Sequence, residues 1–303
     1  MSRYVLKRVL LAIVTIFIIT LITFFTMNAI PGGPFNSEKA SSPEVRAALE
    51  KRYNLDKPLG EQYIIYMGNL FHGDLGISTK TGRDIAQTIT ESFAVSARLG
   101  GMAAVVAIFF GIVFGSIAAL MRNKLPDRLI VFLSTLATAV PSFVLATLLL
   151  YMFCIRFKIF QVWTPEAPNY VLPVIALSLY PMAYITRLTK TSMLDVLNQD
   201  YVRTARAKGV MPWKVIFKHA LRNALIPVIT YVGPMLASIL TGSMVIESIF
   251  TIGGLGSKFV TGINNRDYPM IMGTTIFLAV LMVVMNLVSD LVYKLVDPRI
   301  NFD

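Results

Sequence analysis

Few residues of this chain could do chemistry, and their spacing rules most of that chemistry out. The only histidines are His72 and His219, and no H-E-x-x-H pairing places two metal ligands on one helix face. The single cysteine, Cys154, stands in an apolar run. It cannot form an intrachain disulfide and reads as a small buried packing residue. GGLGSKF (253–259) offers glycines and a lysine, but not the G-x-x-x-x-G-K-[ST] spacing that wraps backbone N–H groups round a phosphate; it reads as a glycine-rich turn. Two carboxylates, Glu247 and Asp290, border otherwise apolar runs. The remaining feature is YVRTARAKGVMPWKVIFKHALRNALIP (201–227), which gathers Arg203, Arg206, Lys208, Lys214, Lys218 and Arg222 without one Asp or Glu. This inventory supports binding chemistry and gives little support to a membrane enzyme.

The elements that must position these residues follow from composition. The chain has 303 residues, 55% hydrophobic and only 15% charged, against about 25% charged in soluble domains. It is an integral membrane protein. A net charge of +11 would suggest nucleic acid for a soluble chain; here it reads as cationic loops on the cytoplasmic side. Runs 9–30, 99–121, 129–155, 167–186, 223–246 and 268–289 contain no Asp, Glu, Lys or Arg. About 20 apolar residues cross the roughly 30 Å hydrocarbon core as a helix, so six spans are expected. The fourth is the shortest, with a useful start near Val171. The first run follows Arg3, Lys7 and Arg8 but is longer than a signal-peptide h-region and lacks a cleavage pattern, so it reads as a retained helix.

Six spans put both termini on one side. That side would hold Arg3, Lys7 and Arg8, then Arg122, Lys124 and Arg128, then the basic stretch, then Lys294 and Arg299. The bias predicts cytoplasmic termini. On this topology His72 and His219 lie on opposite faces of the membrane. The segment 31–95, with seven Lys/Arg and eight Asp/Glu, is too long for a simple connection. It predicts a small helical external cap: a turn at Pro31-Gly32-Gly33-Pro34, a helix starting near Ser42-Pro43-Glu44, a second helix with Ile64, Met67 and Phe71 on one face, ended by His72-Gly73-Asp74, and a third running from about Asp84 into the second span. The domains expected are 1–95, the first span plus cap, and 96–303, a five-helix core with a cytoplasmic loop over about 189–222. Pro141, Pro181, Pro227 and Pro234 predict bent helices around a pathway. Gly111 and Gly115 form a GxxxG pair, read either as a close helix contact or as ordinary glycine enrichment.

Within the basic stretch, Tyr201 to Lys208 favours a helix. Gly209 suits a left-handed stop, and Pro212 suits the first turn of a second helix. There Trp213, Ile216, Phe217 and Ala220 would form one apolar face, with Lys214, Lys218 and Arg222 on another. Two physical readings remain open: an amphipathic helix lying on anionic lipid, or a docking element for a cytoplasmic partner. The bend argues for docking, since a lipid-bound helix needs none. Glu247 reads as a subunit-interface or external-gate residue, and Asp290 as either a gate or the i, i+4 partner of Lys294.

RTARAKG (203–209), with Pro227 eighteen residues after Gly209, resembles the EAA loop of ATP-binding-cassette importer permeases. DYVRTARAKG (200–209), HALRNALIP (219–227), GSMVIESIF (242–250) and NRDY (265–268) are similar to the peptide and nickel branch; PGGPF (31–35) and HGDLG (72–76) resemble its oligopeptide B-type subunit, and the likeness extends to VDPRI (296–300). Arg203 stands where the general pattern has Glu. The resemblance implies a multi-pass bacterial cytoplasmic-membrane protein with a type I importer core. It implies that Arg203, Thr204, Ala205, Gly209, Pro212, Trp213 and Phe217 belong to a coupling helix seated in an ATPase groove. It further implies a homologous second permease, two ATPase subunits carrying ATP and Mg, an extracytoplasmic peptide-binding protein, and no cofactor or nucleic acid on this chain. Oligopeptides are the expected cargo, with dipeptides or nickel chelates as alternatives. A non-transporting, lipid-bound anchor is the alternative of a different class. An independent ion-coupled carrier would show paired charges or broken helices at mid-membrane in repeated halves, which the sequence does not.

Overall fold

The computed structural model describes residues 2–30, 33, 51, 54–241 and 243–296. The expected turn at 31–34 (apart from Gly33), the helix start at Ser42-Pro43-Glu44 and residues 297–300 of VDPRI lie outside them. Regular structure among the described residues is helical, apart from one isolated antiparallel bridge between Ile77 and Asp84. The helices are α1 (Ser2–Ala29), α2 (Leu59–Phe71), α3 (Ile85–Leu120), α4 (Leu125–Ala139), α5 (Ser142–Leu149), α6 (Val171–Leu197), α7 (Asp200–Ala207), α8 (Pro212–Lys214), α9 (Arg222–Ala224), α10 (Ile226–Leu240), α11 (Met244–Ile249), α12 (Leu255–Asn265) and α13 (Tyr268–Val296). Two π-helical segments, Leu150–Arg156 and Val215–Leu221, continue α5 and α8.

Five stretches among the described residues are long and apolar enough to span a membrane: 7–29, 85–120, 171–197, 226–249 and 268–290. The expected third span is not straight. Its two halves, Leu125–Ala139 and Ser142–Arg156, meet at 101°. Pro141 has no N–H to offer the Ala137 carbonyl, and it forces Val140 into an extended conformation (φ −82°, ψ 125°). Counted as one broken span, the pair makes six. Pro181 and Pro234 instead lie inside α6 and α10, and Pro227 falls in the first turn of α10. The fourth span begins at Val171 as expected but runs to Leu197, past Arg187, Lys190 and Asp195. Charge ends a membrane window without ending a helix.

The chain divides into two compact units. The first comprises residues 1–95 and 253–283. In it Phe24 and Met27 of α1 pack with Tyr63 of α2 and with Tyr268, Ile271, Met272 and Ile276 of α13. Of the apolar face expected on α2, only Met67 packs on the core. Ile64 is 71% and Phe71 83% exposed, while Tyr63 is buried and Tyr66, Met67 and Leu70 pack beside it. Two apolar stripes compete on this helix. The stripe carrying Tyr63 wins because its phenol meets Thr20 Oγ1 at 2.9 Å inside the core. Helix α2 ends at His72, followed by Gly73 at φ +80°. The Asp84 side chain accepts the Gln87 N–H at 2.8 Å and starts the helix into the second span as expected. GGLGSKF is more than a turn: Gly254 precedes the first residue of α12, and Leu255 is fully buried. Asp267 of NRDY is also buried; it accepts hydrogen bonds from Ser78 Oγ and from the Thr79 N–H (3.1 Å) and Oγ1 (3.2 Å).

The second unit comprises residues 96–252 and 284–303. Here Gly111 and Gly115 are a true close contact. A Cβ on Gly111 would stand 2.7 Å from Ile185, and one on Gly115 2.5 Å from Thr189 Cβ and 2.6 Å from the Thr186 carbonyl. Helix α3 therefore lies against α6 backbone to backbone. Ala119 of α3 also packs with Met193, Ala220 and Ala224. These contacts connect the C-terminal half of α6 to the basic stretch.

Candidate coupling element and membrane cavity

The basic stretch folds as two helices joined at Gly209. Its φ of +73° is left-handed, a conformation cheap only for glycine. Helix α7 starts at Asp200 and α8 at Pro212, each in its expected place. Beneath the bend Val202, Ala205 and Val215 form a buried cluster covered by Val196 and Val210. Of the seven residues assigned to coupling, Ala205 thus supports the bend from within. Arg203, Thr204, Gly209, Pro212, Trp213 and Phe217 are exposed.

The expected apolar face needs correction. Trp213, Ile216, Phe217 and Ala220 do not share one side. Val215–Leu221 is π-helical, so its i→i+5 bonding aligns residues five apart. Val215 and Ala220 are buried together at 1% and 0% exposure, while Trp213 and Phe217 are 58% and 63% exposed. Ile216 is half-buried on the inner side. The outward surface is therefore Met211, Trp213 and Phe217, all exposed, beside Lys214, whose ammonium lies 5.4 Å from the Trp213 ring centroid. Asn223 Nδ2 donates to Tyr201 Oη at 2.8 Å, tying α7 to the root of the fifth span. That bond was not foreseeable, because the two residues are polar at unrelated helical positions.

Glu247 is fully buried in α11 and accepts a hydrogen bond from Ser96 Oγ at 2.8 Å. Its carboxylate is enclosed within this subunit. Asp290 is half-buried on α13, and the side chain of Lys294 lies outside the described residues. Cys154 is half-buried and not fully enclosed. His72 Nδ1 is 2.8 Å from the Gly68 carbonyl, a local helix-end bond. Among the described residues no group of three His, Cys, Asp or Glu could hold a metal.

A second feature was not anticipated. The break at Val140–Pro141 opens a cavity of about 580 Å³ in the second unit, lined by α4, α5, α6, α10 and α11. Its polar groups include Thr138, Ser142, Tyr180, Tyr231, Ser238 and Ser243. The Tyr231 ring stacks on Tyr184 with centroids 4.3 Å apart. Hydroxyl-bearing residues inside charge-free runs were the signal available in the sequence, and only the fold shows that they converge.

Comparison with known proteins decides the family. Residues 111–302 match the model of the binding-protein-dependent transport system inner membrane component, and residues 1–100 match the model of its N-terminal region. The chain belongs to this family of permeases. The permease is similar to the dipeptide transport system permease protein DppB of Bacillus subtilis, 49% identical over 99% of this chain and 98% of that protein. It is also similar to DppB of Lactococcus lactis (42% identical, 99% of both chains) and to the oligopeptide transport system permease protein OppB of Haemophilus influenzae (40%, 100% of both). Its fold resembles a chain in inward-facing conformations of the MetNI methionine transporter, with TM-score 0.57 at 14% identity over 70% of this chain and 97% of that one. The permease is thus a multi-pass inner-membrane subunit of an ATP-binding-cassette importer. Membership makes it a transport subunit that works with other components of such a system, and sets aside both the non-transporting anchor and the independent carrier.

Proposed function

We propose that this permease moves peptides into the cell, with ATP hydrolysed on partner subunits. The carrying observation is full-length similarity, at 40–49% identity, to permeases named for oligopeptide and dipeptide transport. Oligopeptides are the first reading. Dipeptides are the second, favoured by the 49% identity to the Bacillus subtilis dipeptide permease.

In this reading the chain pairs with a homologous permease, two cytoplasmic ATPases and an extracytoplasmic peptide-binding protein, and both termini face the cytoplasm. The exposed Trp213 and Phe217 beside Lys214 form a compact anchor for an ATPase groove, since aromatic side chains dominate such contacts. The left-handed Gly209 and the buried Val202/Ala205/Val215 cluster hold that anchor at a fixed angle. Ala220 and Ala224 pack with Met193 of α6, so motion of the docked element is transmitted to a spanning helix. The segment 31–95 receives the binding protein, with Asp267 fixing the 78–79 loop.

The test is uptake by the full complex in proteoliposomes. ATP-dependent import of labelled di-, tri- or pentapeptides is expected, and the length profile separates the two readings. Uptake of a nickel chelate with none of any peptide would refute peptide import.

A further inference from the structure

We infer that the cavity at the Val140–Pro141 break is this subunit's part of the cargo path, and that it recognises the peptide main chain while ignoring side-chain charge. The inference rests on the peptide reading above.

Depth is the first argument. The charge-free part of α6 begins at Val171 and ends at Thr186. Tyr180 lies nine residues in, about 14 Å along a helix crossing a core of roughly 30 Å. Its side chain is nevertheless 54% exposed. A phenol exposed at that depth belongs beside water or protein, because lipid offers it no partner. The broken helix pair makes the same demand. The carbonyls of Ala137, Thr138 and Ala139 end α4 without continuing helix to bond them, and these residues line the cavity. Irregular backbone at membrane depth is tolerated where it borders a cavity.

The lining then sets the chemistry. None of the described residues bordering the cavity is charged. Serine and tyrosine hydroxyls both donate and accept, and so match the N–H and C=O groups that every peptide carries. Ala176, Leu177 and Met235 supply apolar wall between them. A fixed charge in this low-dielectric setting would trap cargo of one sign and repel the other. A neutral wall passes both, leaving selection to another component. The volume of about 580 Å³ falls within the usual range of small-ligand sites.

The experiment uses the assembled transporter in proteoliposomes and three tripeptides: Ala-Glu-Ala, Ala-Gln-Ala and Ala-Lys-Ala. Each variant's rate is divided by the wild-type rate for the same peptide, which cancels the selectivity of unchanged subunits. Ser238→Asp should lower import of Ala-Glu-Ala relative to Ala-Lys-Ala by about tenfold, and Ser238→Lys should invert that order. Ser238→Thr should leave the three ratios equal. Tyr180→Phe with Tyr231→Phe should slow all three peptides alike. If the two charged variants alter every peptide equally or not at all, the cavity is not the path; if the tyrosine pair has no effect, main-chain recognition is wrong. Should a charged variant fail to assemble, Ser238→Cys in a Cys154→Ala background decides. Labelling by a membrane-impermeant thiol reagent with inhibition of transport supports the path, and no labelling overturns it. Each negative result leaves wild-type peptide import standing, so failure here is distinct from failure of the peptide reading.

Discussion

Lys190 Nζ lies 2.5 Å from Asp127 Oδ1, and the pair is largely withdrawn from solvent, with side chains 22% and 6% exposed. The second oxygen of Asp127 accepts the N–H of Asn123 at 2.9 Å, and Asn123 itself is left-handed at φ +65°. One carboxylate thus fixes the α3–α4 turn and clamps it to α6, one turn before Met193 packs against Ala220 and Ala224 of the basic stretch. This geometry predicts a positioning role for the pair. Asp127→Asn should leave Lys190 without its counter-charge and destabilise the second unit by about 3 kcal/mol. The exchange Asp127→Lys with Lys190→Asp should recover part of that loss. Thermal unfolding of the detergent-solubilised complex checks stability, and the ratio of substrate-stimulated to basal ATP hydrolysis checks positioning. An Asp127→Asn complex with wild-type values of both would remove the role.

Gly209 tests the bend. An added Cβ meets nothing within 4 Å, so the penalty comes from φ +73° alone. Asparagine should be tolerated best, alanine should cost about 1 kcal/mol, and valine more. Gly209→Val should insert normally yet lose stimulated ATP hydrolysis. Full stimulation in that variant would show that the bend is not needed for coupling.

Docking should depend on the outward aromatics more than on the cations. Trp213→Ala with Phe217→Ala is expected to abolish co-purification of the ATPase while leaving the fold intact, since both rings are more than half exposed. Lys214→Glu with Lys218→Glu should chiefly weaken binding to anionic vesicles, each Lys near the surface contributing about 1 kcal/mol. The reverse pattern would return the stretch to the lipid-binding reading.

Gly115 and Gly101 form an internal control. Gly115→Ala drives a methyl to within 2.5 Å of Thr189 and should cost about 1–3 kcal/mol by overpacking. A Cβ on Gly101 meets nothing within 4 Å, so Gly101→Ala should be neutral or stabilising by up to about 1 kcal/mol. Thermal melts of the two variants, run in parallel, give the comparison.

Asp267→Ala should release the 78–79 loop by removing the acceptor of three hydrogen bonds. Proteolysis near Thr79 should accelerate, and import driven by the binding protein should fall while basal ATP hydrolysis is retained. Unchanged proteolysis would show that the loop is held by other contacts.

The sequence by itself determined the membrane spans, the bend at Gly209–Pro212 and the family. These depend on composition, on single residues with special backbone conformations and on contiguous motifs, all of which are local. It left open which stripe of α2 is buried, because two apolar stripes look alike until Tyr63 finds Thr20. It misjudged the face of the coupling element for a related reason: an α-helical period was applied to a segment that folds with π-helical bonding. Tertiary structure alone decided that Glu247 is buried against Ser96, that Asp127 and Lys190 pair across 63 residues, and that Thr138, Tyr180, Tyr231 and Ser238 line one cavity. Those relationships join residues from separate helices, and helix periodicity carries no information about which helices will meet.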